Sequence, residues 1–121
     1  SALDAVESGY LKRYTCALTA DQKIVNITLM PKVSDYAYLP FLLAAGNSIS
    51  LIGITGTIIG NTVSTDGVTS ETLLGYPIDV KAIKENGKIR IKCTCPNTQL
   101  PVSVFSLRSE GCIDSISGAT S

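Results

Sequence analysis

A chain of 121 residues fits one domain, and its 45% hydrophobic against 17% charged residues excludes a disordered protein. Ten basic and ten acidic residues give zero formal net charge, which argues against nucleic-acid binding and leaves little repulsion between copies of the chain. Because the sequence has no His, it cannot supply a Ser-His-Asp or Cys-His site on its own, and we expect no enzyme.

The first 14 residues predict the single helix of the chain, or an arm that contacts a neighbouring subunit. Apolar side chains at Leu3, Val6, Tyr10 and Tyr14 recur near helical spacing. Acidic residues come early in this segment and basic residues come late, which is the order that the helix dipole favours.

From residue 15 onward the pattern is that of strands. Three runs rich in β-branched residues predict strands: Lys23–Met30, Ser48–Ile59 and Val102–Leu107. Inside the second run, Gly53 and Gly56 indicate a bulge, a bend or two short strands. Residues 61–67 include Asp66-Gly67 and predict a turn.

The strongest local signal is a hairpin around Asn86-Gly87, a pair typical of two-residue type I′ turns. This turn predicts the following pairs across the hairpin: Glu85 with Lys88, Ala82 with Ile91, Val80 with Cys93, and Ile78 with Cys95. One side of the hairpin then collects the apolar residues and Lys84, and the other side is mostly polar.

These elements predict a mainly β protein, either an antiparallel β-sandwich or an α+β domain with one N-terminal helix. Residues 1–121 form one domain in this interpretation, and residues 109–121 are a small, polar, flexible tail. The longest apolar stretch, residues 39–59, is interrupted by Pro, Gly, Asn, Ser and Thr, so we expect no membrane span.

Four cysteines, Cys16, Cys93, Cys95 and Cys112, fit two disulfides in an oxidising compartment or four reduced thiols. The predicted register places Cys93 and Cys95 on the same buried side, where residues two apart in a strand rarely bridge each other. If the thiols are oxidised, each of these two pairs with Cys16 or Cys112, and both pairings stay open. We expect no metal site, since the spacing lacks a Cys-x-x-Cys knuckle.

Two tyrosines are candidates for contact with a partner protein. Tyr36 and Tyr38 lie on one side of the chain if that segment is extended, and they form either an adhesive platform or a half-buried sheet surface.

The C-terminal residues 113–121 contain Asp114-x-x-Ser117-Gly118-Ala119-Thr120. This run resembles the Asp-x-x-Ser-Gly-Ala-Thr flavin-attachment motif of the FMN-binding domains in electron-transfer proteins of the respiratory quinone-reductase type. The resemblance implies FMN joined to Thr120 through a phosphoester bond, with Asp114, Ser117 and Gly118 as the surrounding motif.

The leading functional expectation is a non-catalytic structural or binding module that works without a cofactor. We expect it to be extracytoplasmic, secreted or at a cell surface, as part of an assembly such as a pilus, surface layer or virion. Its partner would be another protein or another copy of the chain. The alternative is an electron-transfer domain that carries covalent FMN on Thr120.

Overall fold

The computed structural model describes residues 12–29, 38–59, 62–85, 88–107 and 113–120. Within these ranges the chain forms nine strands and no helix: β1 (Arg13–Ala17), β2 (Ile24–Leu29), β3 (Tyr38–Ala45), β4 (Ser48–Ile59), β5 (Thr62–Leu74), β6 (Asp79–Glu85), β7 (Lys88–Thr94), β8 (Pro101–Ser106) and β9 (Ile113–Ala119). Sheet A has the strand order β1-β8-β3-β4-β5, and sheet B has the order β6-β7-β2-β9. All neighbouring strands are antiparallel. The predicted mainly β, antiparallel sandwich is confirmed.

The core lies between the two sheets because alternate residues of each strand point to the same side. Phe41, Leu43 and Ile52 of sheet A are completely buried, as are Ile27 and Ile91 of sheet B. Their neighbours in sequence are less buried or exposed, so each strand contributes one apolar side to a common core.

The β3–β4 connection is a two-residue hairpin. Ala45 pairs with Ser48, which leaves only Gly46 and Asn47 in the turn. Gly46 has a φ of 58°, the conformation that a type II′ turn requires at its first central position. This tight turn places β3 and β4 side by side in the middle of sheet A.

The predicted β6–β7 hairpin is confirmed in its register. Glu85 pairs with Lys88, Ala82 with Ile91, and Val80 with Cys93. The turn residues 86–87 lie outside the described residues. The run Ser48–Ile59 is one continuous strand, with a register shift against β5 between Thr55 and Gly56.

Three sequence-based expectations are wrong where the structure describes them. Arg13 and Tyr14 belong to strand β1 instead of ending a helix, because β1 pairs with β8 along its whole length. Residues 62–67 belong to β5 instead of forming a turn, because β4 pairs with them. Residues 113–119 form β9 on the edge of sheet B, so this part of the expected flexible tail is ordered by pairing with β2. The rest of the predicted helix, residues 1–11, lies outside the described residues.

The two lateral sides of the sandwich differ. On one side, the Tyr14 hydroxyl of β1 donates a hydrogen bond to the Ile113 carbonyl of β9 over 3.2 Å and so ties sheet A to sheet B. On the other side, β5 and β6 flank an open cleft of about 550 Å³. Strands of the two sheets therefore contact each other at both sides of the sandwich, and the β5–β6 side also contains the cleft.

Candidate functional site

The outer surfaces of the two sheets have opposite chemistry. The outer face of sheet B is mainly polar and carries the following polar residues: Asn26, Thr28, Lys81, Arg90, Lys92, Thr94, Ser115 and Ser117. The apolar residues Ile24, Ile83 and Ala119 lie on the same side, and Ile24 is buried there, outside the core between the sheets. Arg90 donates hydrogen bonds to Asn26 Oδ1 over 3.0 Å and to Glu85 Oε1 over 2.9 Å. The hydrogen bond from Arg90 and its positive charge lower the pKa of Glu85. This is the wet surface expected of an antiparallel sheet with one side in water.

The outer face of sheet A is apolar at its centre. Its central strands β8, β3 and β4 present these half-buried residues to the outside: Pro40, Leu42, Ala44, Ile49, Leu51 and Phe105. Ser103 of β8, which lies beside Ala44 of β3, is the one polar side chain described among these outward residues. Contiguous apolar patches of this kind on a protein surface commonly mark interaction sites.

One register row crosses all five strands of sheet A. Arg13 pairs with Phe105, Phe105 with Leu42, Leu42 with Leu51, and Leu51 with Glu71. All five side chains lie on the outer face, because the residues before and after them in β8, β3 and β4 are buried inside. The row is therefore apolar in the middle, positive at the β1 edge and negative at the β5 edge.

Tyr38, one of the two predicted contact residues, lies at the border of this apolar centre. A Cβ atom added to Gly53 would lie 2.6 Å from Cε1 and 3.0 Å from the hydroxyl oxygen of Tyr38, so the ring covers Gly53 on the neighbouring strand. Tyr38 is nevertheless 43% exposed, which leaves part of the ring available for contact. Tyr36 lies outside the described residues, so whether the two tyrosines share a surface stays a prediction.

The described cysteines are free thiols inside the sandwich. Cys93 and Cys95 are buried on the inner side of sheet B, as predicted, and Cys16 is half-buried on β1. Burial raises the pKa of all three thiols, that of Cys95 to about 11, with a further contribution from the nearby Cys16. No disulfide joins these three residues, and Cys112 lies outside the described ranges.

The cleft between β5 and β6 does not bring together a reactive set of side chains. Its lining includes Ser70, Asp79 and Cys95 among apolar neighbours. The Ser70 hydroxyl is buried without a hydrogen-bond partner, and the raised pKa keeps the Cys95 thiol protonated at neutral pH. A protonated thiol is a poor nucleophile, so this arrangement does not support covalent catalysis.

The residues of the flavin-attachment motif do not converge on one place. Asp114, Ser117 and Gly118 lie along β9, and Thr120 follows the strand directly. Thr120 lies six positions after Asp114 in extended chain, a distance of about 20 Å. A Cβ added to Gly118 would lie 2.8 Å from Oε1 of Gln22, so the space beside this glycine is already filled. Attachment of FMN at Thr120 stays a prediction from the motif alone.

Comparisons of this chain with known protein families, with curated proteins and with solved structures find no match. No helix in the described ranges is long and apolar enough to cross a membrane. Among the same residues, no group of His, Cys, Asp or Glu is arranged to hold a metal ion. The contrast between the outer faces of the two sheets is therefore the feature that bears on function.

The sequence analysis did not predict the outer face of sheet A, because it did not predict β3, the middle strand of that sheet. Gly46-Asn47 separates two apolar runs and is a recognised two-residue hairpin signal. Once that turn is recognised, Leu42 falls opposite Leu51 with Phe41 on the other side of the strand. The pairing of β3 with β8, which adds Phe105, joins residues more than 60 positions apart and has no local signal.

Proposed function

We propose that this chain is a non-catalytic structural module that assembles with further copies of itself through the outer face of sheet A. One observation carries the proposal: the centre of that face is apolar, whereas the outer face of sheet B in the same domain is mainly polar, with Arg90 hydrogen-bonded to Asn26 and Glu85. Both sheets would be expected to have polar outer faces if both were meant to stay in water.

A copy of the same chain is the proposed occupant of this face. The formal net charge is zero, so copies of the protein repel each other little. The single row that crosses the face has opposite charges at its two ends, Arg13 and Glu71, which makes the surface complementary to itself when one copy is turned around.

The proposal of a non-catalytic role is supported by the chemistry of the reactive groups. The chain has no His to act as a general base, and burial holds the pKa of Cys95 at about 11. Ser70 and Asp79 line the same cleft as Cys95, whose thiol is protonated at neutral pH.

The proposed location is extracytoplasmic, in a surface or filament type of assembly. It is supported by the low charged fraction of 17% and by strands rich in Thr, Ser and Gly. The cysteines do not carry this part of the proposal, since Cys16, Cys93 and Cys95 are free thiols.

Hydroxyl-radical labelling across a protein concentration series tests the proposed function. As concentration rises, labelling of Phe105, Leu42 and Tyr38 should fall because assembly covers them. Labelling of Ile83, an apolar residue on the outer face of sheet B, should stay constant and provides the control.

Equal labelling of both sheets at all concentrations, together with a monomeric mass, would contradict self-assembly through sheet A. The intact mass of the natively produced protein tests the non-catalytic role separately. A mass excess equal to one FMN that disappears in Thr120→Val would replace the structural module with an electron carrier.

A further inference from the structure

The charged ends of the central row define how two copies would fit together. Arg13 lies on β1 at one edge of sheet A, and Glu71 lies on β5 at the opposite edge. Both side chains are exposed, and neither forms an ion pair within the described part of the chain. Between them, Phe105, Leu42 and Leu51 occupy the same row on three successive strands.

A two-fold axis parallel to the strands, placed over the middle strand β3, brings two such rows together. Rotation about this axis reverses the strand order, so β1 of one copy faces β5 of the other and β8 faces β4. Arg13 then faces Glu71 of the second copy, Phe105 faces Leu51, and Leu42 faces Leu42. Because the arrangement is symmetric, the Arg13–Glu71 pair occurs twice.

We propose that the protein forms an isologous dimer in which the outer faces of sheet A pack with parallel strand directions and two Arg13–Glu71 ion pairs close the ends of the central row. This inference rests on the proposed function and adds the geometry of the contact. Two sheets packed face to face prefer strand directions within about 30° of each other, which this orientation satisfies.

The side chains of the neighbouring register row have sizes that suit the same arrangement. It runs Thr15, Ser103, Ala44, Ile49 and Leu74 from β1 to β5. Under the same rotation, small Ser103 faces large Ile49, and Ala44 faces Ala44. A small residue opposite a large one lets the two faces interdigitate at these positions.

The size of the contact predicts its strength. Five strands about 4.8 Å apart, each offering about six residues, give a flat area on the order of 500 Å² per copy. This lies at the small end of specific protein interfaces, where association is weak. We therefore expect a weak dimer whose population depends on protein concentration.

Charge reversal with rescue is the deciding experiment, measured by sedimentation velocity on the full chain from about 1 to about 500 µM. Arg13→Glu and Glu71→Arg should each weaken the dimer at least about tenfold, because each change places two like-charged pairs at the ends of the row. The double variant Arg13→Glu/Glu71→Arg restores opposite charges and should return the dissociation constant to near that of the wild type.

Two further variants control the interpretation. Lys81→Glu reverses a charge on the outer face of sheet B and should leave the dissociation constant unchanged. Leu42→Cys places a thiol on the two-fold axis, so a short bismaleimide should link two copies through this residue, whereas Lys81→Cys should not be linked. Circular dichroism of each variant confirms that it is folded.

The outcomes separate the geometry from the proposed function. If Leu42→Lys abolishes the dimer but the double charge reversal is as weak as either single change, the face is correct and this orientation is wrong. If the wild type dimerises and Leu42→Lys does not affect it, association uses another surface and both proposals about sheet A are wrong. If the wild type is monomeric at about 500 µM, self-assembly itself is wrong.

Discussion

Cys93 and Cys95 lie side by side on the inner side of sheet B, within the core. Transfer of a thiolate out of water costs free energy, so burial favours the protonated thiol and raises its pKa. For Cys95 the nearby Cys16 adds to this effect, since a negative charge on one thiol disfavours a charge on the other. At neutral pH these residues behave as small apolar side chains.

The raised thiol pKa values predict that stability falls at alkaline pH. Above about pH 9, the ordinary thiol pKa, the unfolded chain loses thiol protons while the folded chain keeps them. The stabilisation is therefore complete below pH 9 and is lost as pH rises toward 11 and beyond. The free energy of unfolding should fall by up to about 1.4 kcal/mol per pH unit for each thiol.

Urea unfolding between pH 7 and pH 10.5, in the presence of a reductant, measures this effect. The variant Cys93→Ala/Cys95→Ala is less stable at pH 7, because it removes core volume, but its stability should depend less on pH. If Cys93→Ala/Cys95→Ala loses as much stability as the wild type between pH 8.5 and pH 10.5, groups other than these two thiols control the alkaline transition.

Two glycines shape the turns that build sheet A. Gly46 has a φ of 58° in the β3–β4 turn, and Gly75 has a φ of 75° directly after β5. Their surroundings differ: a Cβ at Gly46 meets only the Leu100 side chain, whereas at Gly75 it would lie 2.8 Å from the Asn47 backbone oxygen. A side chain can move aside more easily than the backbone of a neighbouring turn.

We expect Gly46→Ala to reduce the free energy of unfolding by about 1–2 kcal/mol, the cost of a left-handed conformation at a residue with a Cβ. Gly75→Ala should cost clearly more, because the added methyl group also collides with backbone. Chemical denaturation of both variants at pH 7 measures the difference. An equal loss for the two variants would show that conformation alone, without the collision, sets the cost.

The central strands of sheet A illustrate what can be predicted at the level of elements. The β6–β7 register between Asp79 and Glu85 could be derived, since one turn fixes the pairing of two adjacent strands. The extent of β4 could also be predicted, because β-branched residues are concentrated in it. β1 and β9 could not be predicted, since each is held in place by a partner that is distant in sequence.

At the scale of the whole molecule, contacts between β1 and β9 join the two sheets at one side of the sandwich. Tyr14 of β1 reaches the Ile113 carbonyl of β9, two residues separated by 99 positions. Further along, the side chain of Leu18, directly after β1, lies against Gly118 of β9. These contacts hold the edge strand of sheet A against the edge strand of sheet B.

Tyr14→Phe should therefore lower the free energy of unfolding by about 1 kcal/mol, since it removes a partly buried hydrogen bond and keeps the ring. Amide hydrogen exchange in β9 should become faster, because this strand pairs with only one neighbour in its own sheet. Tyr76→Phe is the matched control, as the Tyr76 side chain is 68% exposed. Unchanged exchange in β9 would show that the hydroxyl does not hold the two sheets together.

The sequence by itself determined that the protein is a mainly β domain, because strand alternation and turn residues are local signals. It also determined which side of β6 and β7 is buried, and that Cys93 and Cys95 share it. Only the tertiary structure decided that Arg13, Phe105, Leu42, Leu51 and Glu71 form one row. Those pairings join segments up to about 90 residues apart, and they are set by how two apolar surfaces enclose a common core, which no local pattern records.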